Sequence, residues 1–132
     1  MKRPIATFAF VCVLLGSAGC GNDAPAANRP RSAATVQILE PEANAKITGG
    51  RFTVRIRLEG GRVVPETSRK LNATEGHLHV SVDGEILSQT YGLTQTLDAP
   101  DAGRHLLQVE FVAKDHGPFE PRVIASAPFE VE

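Results

Sequence analysis

Apolar and polar residues alternate over several short stretches of the chain. The alternation is strictest at 52–58, 76–82 and 104–112, and shorter runs occur at 35–39, 45–47, 85–91, 95–97 and 122–131. Because successive side chains of a β-strand point to opposite faces, each stretch predicts a strand with one buried face. Residues 35–132 hold no sustained run with the period of an amphipathic helix. The pattern therefore predicts an all-β domain.

Turn-forming residues separate these predicted strands. Glycine pairs stand at 49–50 and 60–61, Asp83-Gly84 favours a tight hairpin, and residues 98–103 form a dense turn cluster. About seven strands at this spacing predict a single immunoglobulin-like antiparallel β-sandwich over 35–132. Residues 62–75 show no period, and a loop of that length is uncommon in a compact domain and is often functional.

The predicted strand at 76–82 carries two of the four histidines in the chain. Leu78, Val80 and Val82 share the face that is expected to point into the core. His77 and His79 then share the outer face, about 7 Å apart along the strand.

The topology predicts where these two histidines lie relative to a third. In this kind of sandwich the strands at 76–82 and 104–112 are antiparallel neighbours, so the start of one lies beside the end of the other. Asp115 and His116 directly follow the second strand. We therefore expect His77, His79, His116 and Asp115 to meet, in a donor set that suits copper(II) or zinc. Two further carboxylates would lie within reach, Glu75 and Glu110.

An alternative for the same residues involves no metal. The two strand histidines would be solvated on an open sheet face, and His116 would cap its own turn. The fourth histidine, His105, shares the inward face of its strand with Leu107 and Val109. We predict a structural role for His105, in which its ring bonds a nearby backbone group as the corner tyrosine does in immunoglobulin sandwiches.

The first residues of the chain predict export. Lys2 and Arg3 precede an apolar run at 5–15, and small residues lead to Cys20. The residues Ser17-Ala18-Gly19-Cys20 resemble a bacterial lipobox, which implies cleavage after residue 19 and acylation of Cys20, including a palmitate chain. Residues 20–34 are polar and rich in proline and alanine, and they predict a flexible tether.

Charge argues against a nucleic-acid partner. Without residues 1–19 the chain has 12 basic and 15 acidic residues, a formal net charge of about −3. Basic residues do cluster at 51–70, but no aromatic residues interleave with them to stack on bases. A solvated strand face explains this cluster, and contact with anionic envelope polymers is the alternative.

Sequence signals of catalysis are absent as well. The chain has no Gly-x-Ser-x-Gly elbow, no spare cysteine after Cys20 and no His-Glu-x-x-His motif. We therefore predict a module that is not an enzyme.

The order of several short motifs resembles one group of proteins. The motifs are Gly76-His77-Leu78-His79 with Asp83-Gly84, then 103–107 and Asp115-His116-Gly117-Pro118. Together they resemble bacterial secreted or lipid-anchored immunoglobulin-like (fibronectin III-like) domains of largely unassigned function. The resemblance implies an extracytoplasmic sandwich, sometimes in proteins associated with copper handling, with no common enzymatic activity.

These observations lead to one expected function and one alternative. We expect a binding or structural module of the bacterial envelope, held to a membrane by its lipid anchor, with an envelope protein or polymer as partner. The alternative is a periplasmic protein that binds copper or zinc through the histidines.

Overall fold

The structure is a computed structural model that describes residues 28–132 and, of Thr90, only the backbone. The predicted signal peptide at 1–19, the lipidation site Cys20 and the first part of the predicted tether lie outside the described residues. Among residues 28–132, no helix is long and apolar enough to cross a membrane.

The described chain consists of strands and connecting loops. The strands are β1 (Thr35–Glu40), β2 (Ala45–Ile47), β3 (Arg51–Glu59), β4 (Arg62–Val63), β5 (Glu75–Val82), β6 (Glu85–Thr90), β7 (Thr94–Asp98), β8 (Gly103–Ala113) and β9 (Pro118–Val131). One sheet has the order β1-β3-β7. The other has the order β2-β9-β8-β5-β4, with β6 paired to the same strand β5. The predicted all-β sandwich is confirmed.

Two short strands differ from the prediction. Residues 45–47 form a strand as predicted, but they pair with β9 of the larger sheet in parallel and not in the antiparallel manner predicted for the sandwich. The turn before them allows this pairing, because Asn44 adopts a left-handed φ of 64°. Arg62–Val63, predicted as loop, forms a two-residue parallel pair with the start of β5. A strand of two residues is too short for any alternation to show in the sequence.

The core lies between the two sheets and is built from the alternating positions. Val54 of β3, Leu78 and Val80 of β5, and Val109 and Phe111 of β8 are fully buried. Burying a side chain of this size contributes about 1.5–3 kcal/mol each. The outward positions of β3 are exposed, so the predicted inside and outside of this strand are correct.

The pairing of β5 with β8 determines which residues meet at each end of the sheet. The two strands are antiparallel, as predicted, with Gly76 opposite Ala113 and Val82 opposite Leu107. Gly76 allows a very close approach, because a Cβ atom there would lie 1.8 Å from the carbonyl oxygen of Val112. The start of β5 is therefore held directly beside the end of β8 and the loop that follows it.

Candidate functional site

Three imidazole rings meet at this end of the sheet, and we refer to His77, His79 and His116 as the histidine cluster. His77 and His79 project from the outer face of β5, and His116 reaches them from the loop between β8 and β9. The ring centroids of His77 and His116 are 4.3 Å apart, and those of His79 and His116 are 5.3 Å apart. The ring planes are close to parallel in both pairs, at 30° and 19°. Sequence topology therefore predicted the convergence of the three rings, and the structure shows it.

His77 is the innermost member of the cluster and is fully buried. Its ring is covered by His116 on one side and contacts the edge of Tyr91 at a centroid distance of 5.7 Å. Neither of its ring nitrogens makes a hydrogen bond of normal geometry among residues 28–132, although the backbone of Glu66 lies close enough to raise the pKa of the ring. A buried polar group without a partner is unusual in a folded protein and needs an explanation.

His79 and His116 are joined directly. The Nε2 atom of His79 and the Nδ1 atom of His116 are 3.0 Å apart, so one neutral ring donates its N–H group to the other. On its far side, His116 Nε2 lies 3.4 Å from the hydroxyl of Thr67 in the loop after β4. His116 itself has a φ of 64°, which turns its side chain back over the sheet. The loop at 64–74 and the loop at 114–117 thus enclose the cluster.

The surroundings of His77 and His79 favour the neutral form of both rings. Burial lowers the pKa of His77 below its ordinary value, and the neighbouring His116 lowers it further, while the backbone and carboxylate of Glu66 act in the opposite direction. The pKa of His79 is also lowered, first by burial and then by His116, against the charge of Glu110. Neutral imidazoles with available lone pairs are the form that binds metal ions.

The carboxylates predicted as ligands are engaged elsewhere. Asp115 turns away from the cluster and forms two bonds of 2.6 and 2.8 Å with the guanidinium of Arg29. Glu75 pairs with Lys114 at 2.9 Å and also with Arg62.

Glu110, the second carboxylate predicted within reach, pairs with both donors of Arg122, at 2.8 and 2.5 Å. Within the described part of the chain, no group of three or more His, Cys, Asp or Glu side chains is arranged to hold a metal ion.

A shallow concavity of about 220 Å³ borders the cluster on the outer face of the larger sheet. It is lined by polar side chains, among them His79 and Glu110, and by the exposed side chains of Ile86 and Ile124. The surface beside the cluster thus combines polar and apolar groups.

His105 lies at the opposite end of β8, on the inward side of the strand. Its Nε2–H donates to the backbone oxygen of Asp101 at 2.8 Å, and its Nδ1–H donates to the Asp83 carboxylate at 2.7 Å. The ring packs near Phe129 at a centroid distance of 5.5 Å. Asp83 raises the pKa of His105, and the Asp101 carbonyl raises it further, because both acceptors favour a doubly protonated ring. The proposed structural role of His105 stays a prediction, and these are the contacts on which it depends.

Two contacts of the site were not foreseen. Arg29 lies in a segment predicted as tether, and no residue pattern links it to Asp115. Tyr91 follows β6 and reaches His77 across the strand pair. The only signal for Tyr91 is that it is the single tyrosine of the chain, close in sequence to a predicted turn.

Comparisons with known proteins bear on the fold. No family model and no curated protein matches the chain. The fibronectin(III)-like modules of CbhA from Clostridium thermocellum match with 14% identity and a TM-score of 0.52, over 74% of this chain and 94% of that chain. The crystal structure of an engineered protein matches with 14% identity and a TM-score of 0.50, over 75% of this chain. This chain spans only 20% of that engineered protein.

At such low identity the matches show the fold alone. The residues that the structure describes have a fibronectin III-like fold.

Proposed function

We propose that this chain is a non-catalytic binding module of the bacterial envelope, anchored outside the cytoplasm by acylated Cys20. The observation that carries the proposal is a fibronectin III-like sandwich that follows an export signal and a lipobox-like sequence. The concavity beside His79 supplies a contact surface for an envelope protein or polymer. The lipid chains supply the contact with the membrane, since two or more acyl chains give a firm anchor.

The charges of the described residues support a partner other than nucleic acid. Two of the three arginines of the smaller sheet pair with carboxylates, Arg55 with Glu40 at 2.6 Å and Arg51 with Asp98 at 3.3 Å, and Arg57 donates to the side-chain oxygen of Gln37. Paired and solvated arginines offer less attraction to a phosphate backbone than a free basic stripe.

Detergent partition tests the anchor. We expect the full-length protein, expressed in a bacterium, to enter the detergent phase, and the Cys20→Ser variant to appear in the aqueous phase. Cys12→Ser is the matched control, because Cys12 lies within the segment that is expected to be cleaved off. If the wild-type protein remains aqueous, or if both cysteine variants behave alike, the lipid anchor is ruled out.

A second candidate function is binding of copper(II) or zinc at the histidine cluster. The observation that favours it is the convergence of three imidazoles, one of them buried with no hydrogen-bond partner among the described residues. The 3.0 Å between the nitrogens of His79 and His116 is close to the roughly 3.3 Å that separates two ligands of one tetrahedral zinc ion. These two residues would hold the ion, which would supply a bridge between β5 and the loop after β8.

Titration of the soluble Cys20→Ser protein with copper(II) and with zinc tests this second function. We expect one ion per chain in the wild-type background and loss of binding in the His79→Ala variant. His105→Gln is the control, because it removes a histidine outside the cluster. Equal affinity in the wild-type and His79→Ala proteins would contradict the proposed site.

A further inference from the structure

We propose that Arg29 is a positioning residue for the histidine cluster, which it controls through Asp115 and the loop that carries His116. The inference rests on the cluster as the ligand site of the second candidate function. It adds that the segment before the sandwich, and not only the sandwich itself, determines the geometry of that site.

Arg29 makes more contacts with the loop between β8 and β9 than a solvated arginine would. Its two terminal nitrogens bond both carboxylate oxygens of Asp115, and its Nε–H donates to the carbonyl of Pro118 at 2.7 Å. Such bidentate pairs fix the orientation of the guanidinium relative to the carboxylate. The side chains of Arg29 and Asp115 are only 20% and 27% exposed, so the pair is partly shielded from water. Arg29 also lowers the pKa of Asp115 to about 2.

The backbone on both sides reinforces this contact. The N–H of Glu120 donates to the carbonyl of Pro30 at 3.1 Å, which ties the residue after Arg29 to the start of β9. Gly117 lies directly against the guanidinium: a Cβ atom at this position would lie 2.5 Å from a terminal nitrogen of Arg29, so the guanidinium would have to move to make room for it. Residues 29–30 therefore pack closely against the loop between β8 and β9 and against the start of β9.

The same loop holds His116 in its unusual conformation. Asp115 accepts the N–H of Gly117 at 3.0 Å, and the N–H of His116 donates to the carbonyl of Ala113 at 2.9 Å. His116 thus lies between two residues that are bonded to or packed against Arg29. Its left-handed φ costs free energy, and the contacts of its neighbours compensate for that cost. Without Arg29, the Asp115 carboxylate would lose its ion pair. The turn that places the His116 ring beside His79 would then be less well fixed.

The experiment measures the bond between the two imidazoles directly. We compare the soluble Cys20→Ser protein with the same protein carrying Arg29→Met, in EDTA, and record the nitrogen–nitrogen coupling across the His79–His116 hydrogen bond by NMR. We expect the coupling in the parent protein and its loss in Arg29→Met. Arg55→Met is the matched control, since it removes an arginine–carboxylate pair from the smaller sheet, and it should retain the coupling.

A second variant keeps both charges. Gly117→Ala places a methyl group against the guanidinium and should displace Arg29, so we expect it to lose the coupling as well. Retention of the coupling in both Arg29→Met and Gly117→Ala would overturn the inference. Because the coupling is recorded without metal, this result does not depend on whether the cluster binds an ion.

Metal affinity is the second measurement. Groups that orient a ligand residue typically contribute 10–100-fold to affinity, so we expect Arg29→Met to bind copper(II) or zinc about tenfold more weakly than Arg55→Met. Equal affinities together with an unchanged coupling overturn the positioning role and leave the metal site intact. If no variant binds metal, the second candidate function fails, and the coupling alone decides the role of Arg29.

Discussion

Histidine side chains lie at both ends of β8, and the two ends differ in the hydrogen bonds that the imidazole rings make. At the end near residue 105, one imidazole donates both of its N–H groups to Asp83 and Asp101. At the other end, three imidazoles contact each other, and His77 is buried without a hydrogen bond of normal geometry among the described residues. A ring with both nitrogens in hydrogen bonds has no nitrogen left for a ligand. Rings that contact mainly each other retain the capacity to bind something else.

The largest effect is expected from the contact that brings the cluster together. Gly76→Ala would force a methyl group to within 1.8 Å of the Val112 carbonyl, which is backbone and cannot move aside. We expect a loss of about 3 kcal/mol or more in the free energy of unfolding, measured with urea. Gly50→Ala is the control, because no atom lies within 4 Å of its added Cβ, and its effect should stay within about 0.5 kcal/mol. A Gly76→Ala protein as stable as this control would mean that β5 and β8 are not so close.

A smaller effect of opposite sign is expected at His77. His77→Leu replaces a buried ring that lacks hydrogen bonds with an apolar side chain, which removes the desolvation penalty but also the stacking on His116. We expect a net gain of about 1 kcal/mol in the free energy of unfolding at pH 7 in the presence of EDTA. His105→Leu should instead lower the thermal midpoint, because it removes the imidazole from the Asp83 carboxylate and leaves only the N–H of Leu106 bonded to it. Destabilisation by both substitutions would remove the distinction between the two ends.

The smallest effect is a difference in pH dependence. The raised pKa of His105 means that its contribution to stability is fully present below about pH 6.5 and is lost as the pH rises through the folded-state value. The lowered pKa values of His77 and His79 act in reverse, because the unfolded chain takes up protons first as the pH falls below about 6.5.

Urea unfolding at pH 8, 6.5 and 5 in EDTA separates these two contributions. Relative to wild type, we expect His77→Leu to lose less stability toward pH 5 and His105→Gln to lose more. The range ends at pH 5 because Glu75 and Asp115 have pKa values of about 2. Protonation of these two carboxylates lowers the free energy of unfolding, but only at lower pH. Parallel pH profiles for both variants would contradict the opposite shifts.

The fold was readable from the sequence because alternation reports directly on which face of a strand is buried. Val54 of β3 and Val80 of β5 are fully buried as the pattern predicts. The convergence of His77, His79 and His116 was also predictable, since it follows from strand adjacency. The burial of His77 was not, because it depends on how the loops at 64–74 and 114–117 fold over an outer strand face.

The ion pair between Arg29 and Asp115 could not be predicted from the sequence either. It joins residues 86 positions apart, and one of them lies before the first strand, where no periodicity constrains its place. A carboxylate beside a histidine in a loop predicts a ligand and an ion-pair partner equally well. Only the placement of the guanidinium distinguishes the two.

If Cys20 is acylated, the docking of Arg29 also limits how far the domain can lie from the membrane. Cys20 precedes Arg29 by nine residues, so the chain between them spans at most about 30 Å when fully extended. If Cys20 is acylated, the first fixed point of the domain lies on the loop that carries His116, and the cluster is therefore presented on the bilayer side. Lengthening the segment before Arg29 would move the domain away from the bilayer. Breaking the contacts of Arg29 would also allow the domain to rotate relative to the bilayer.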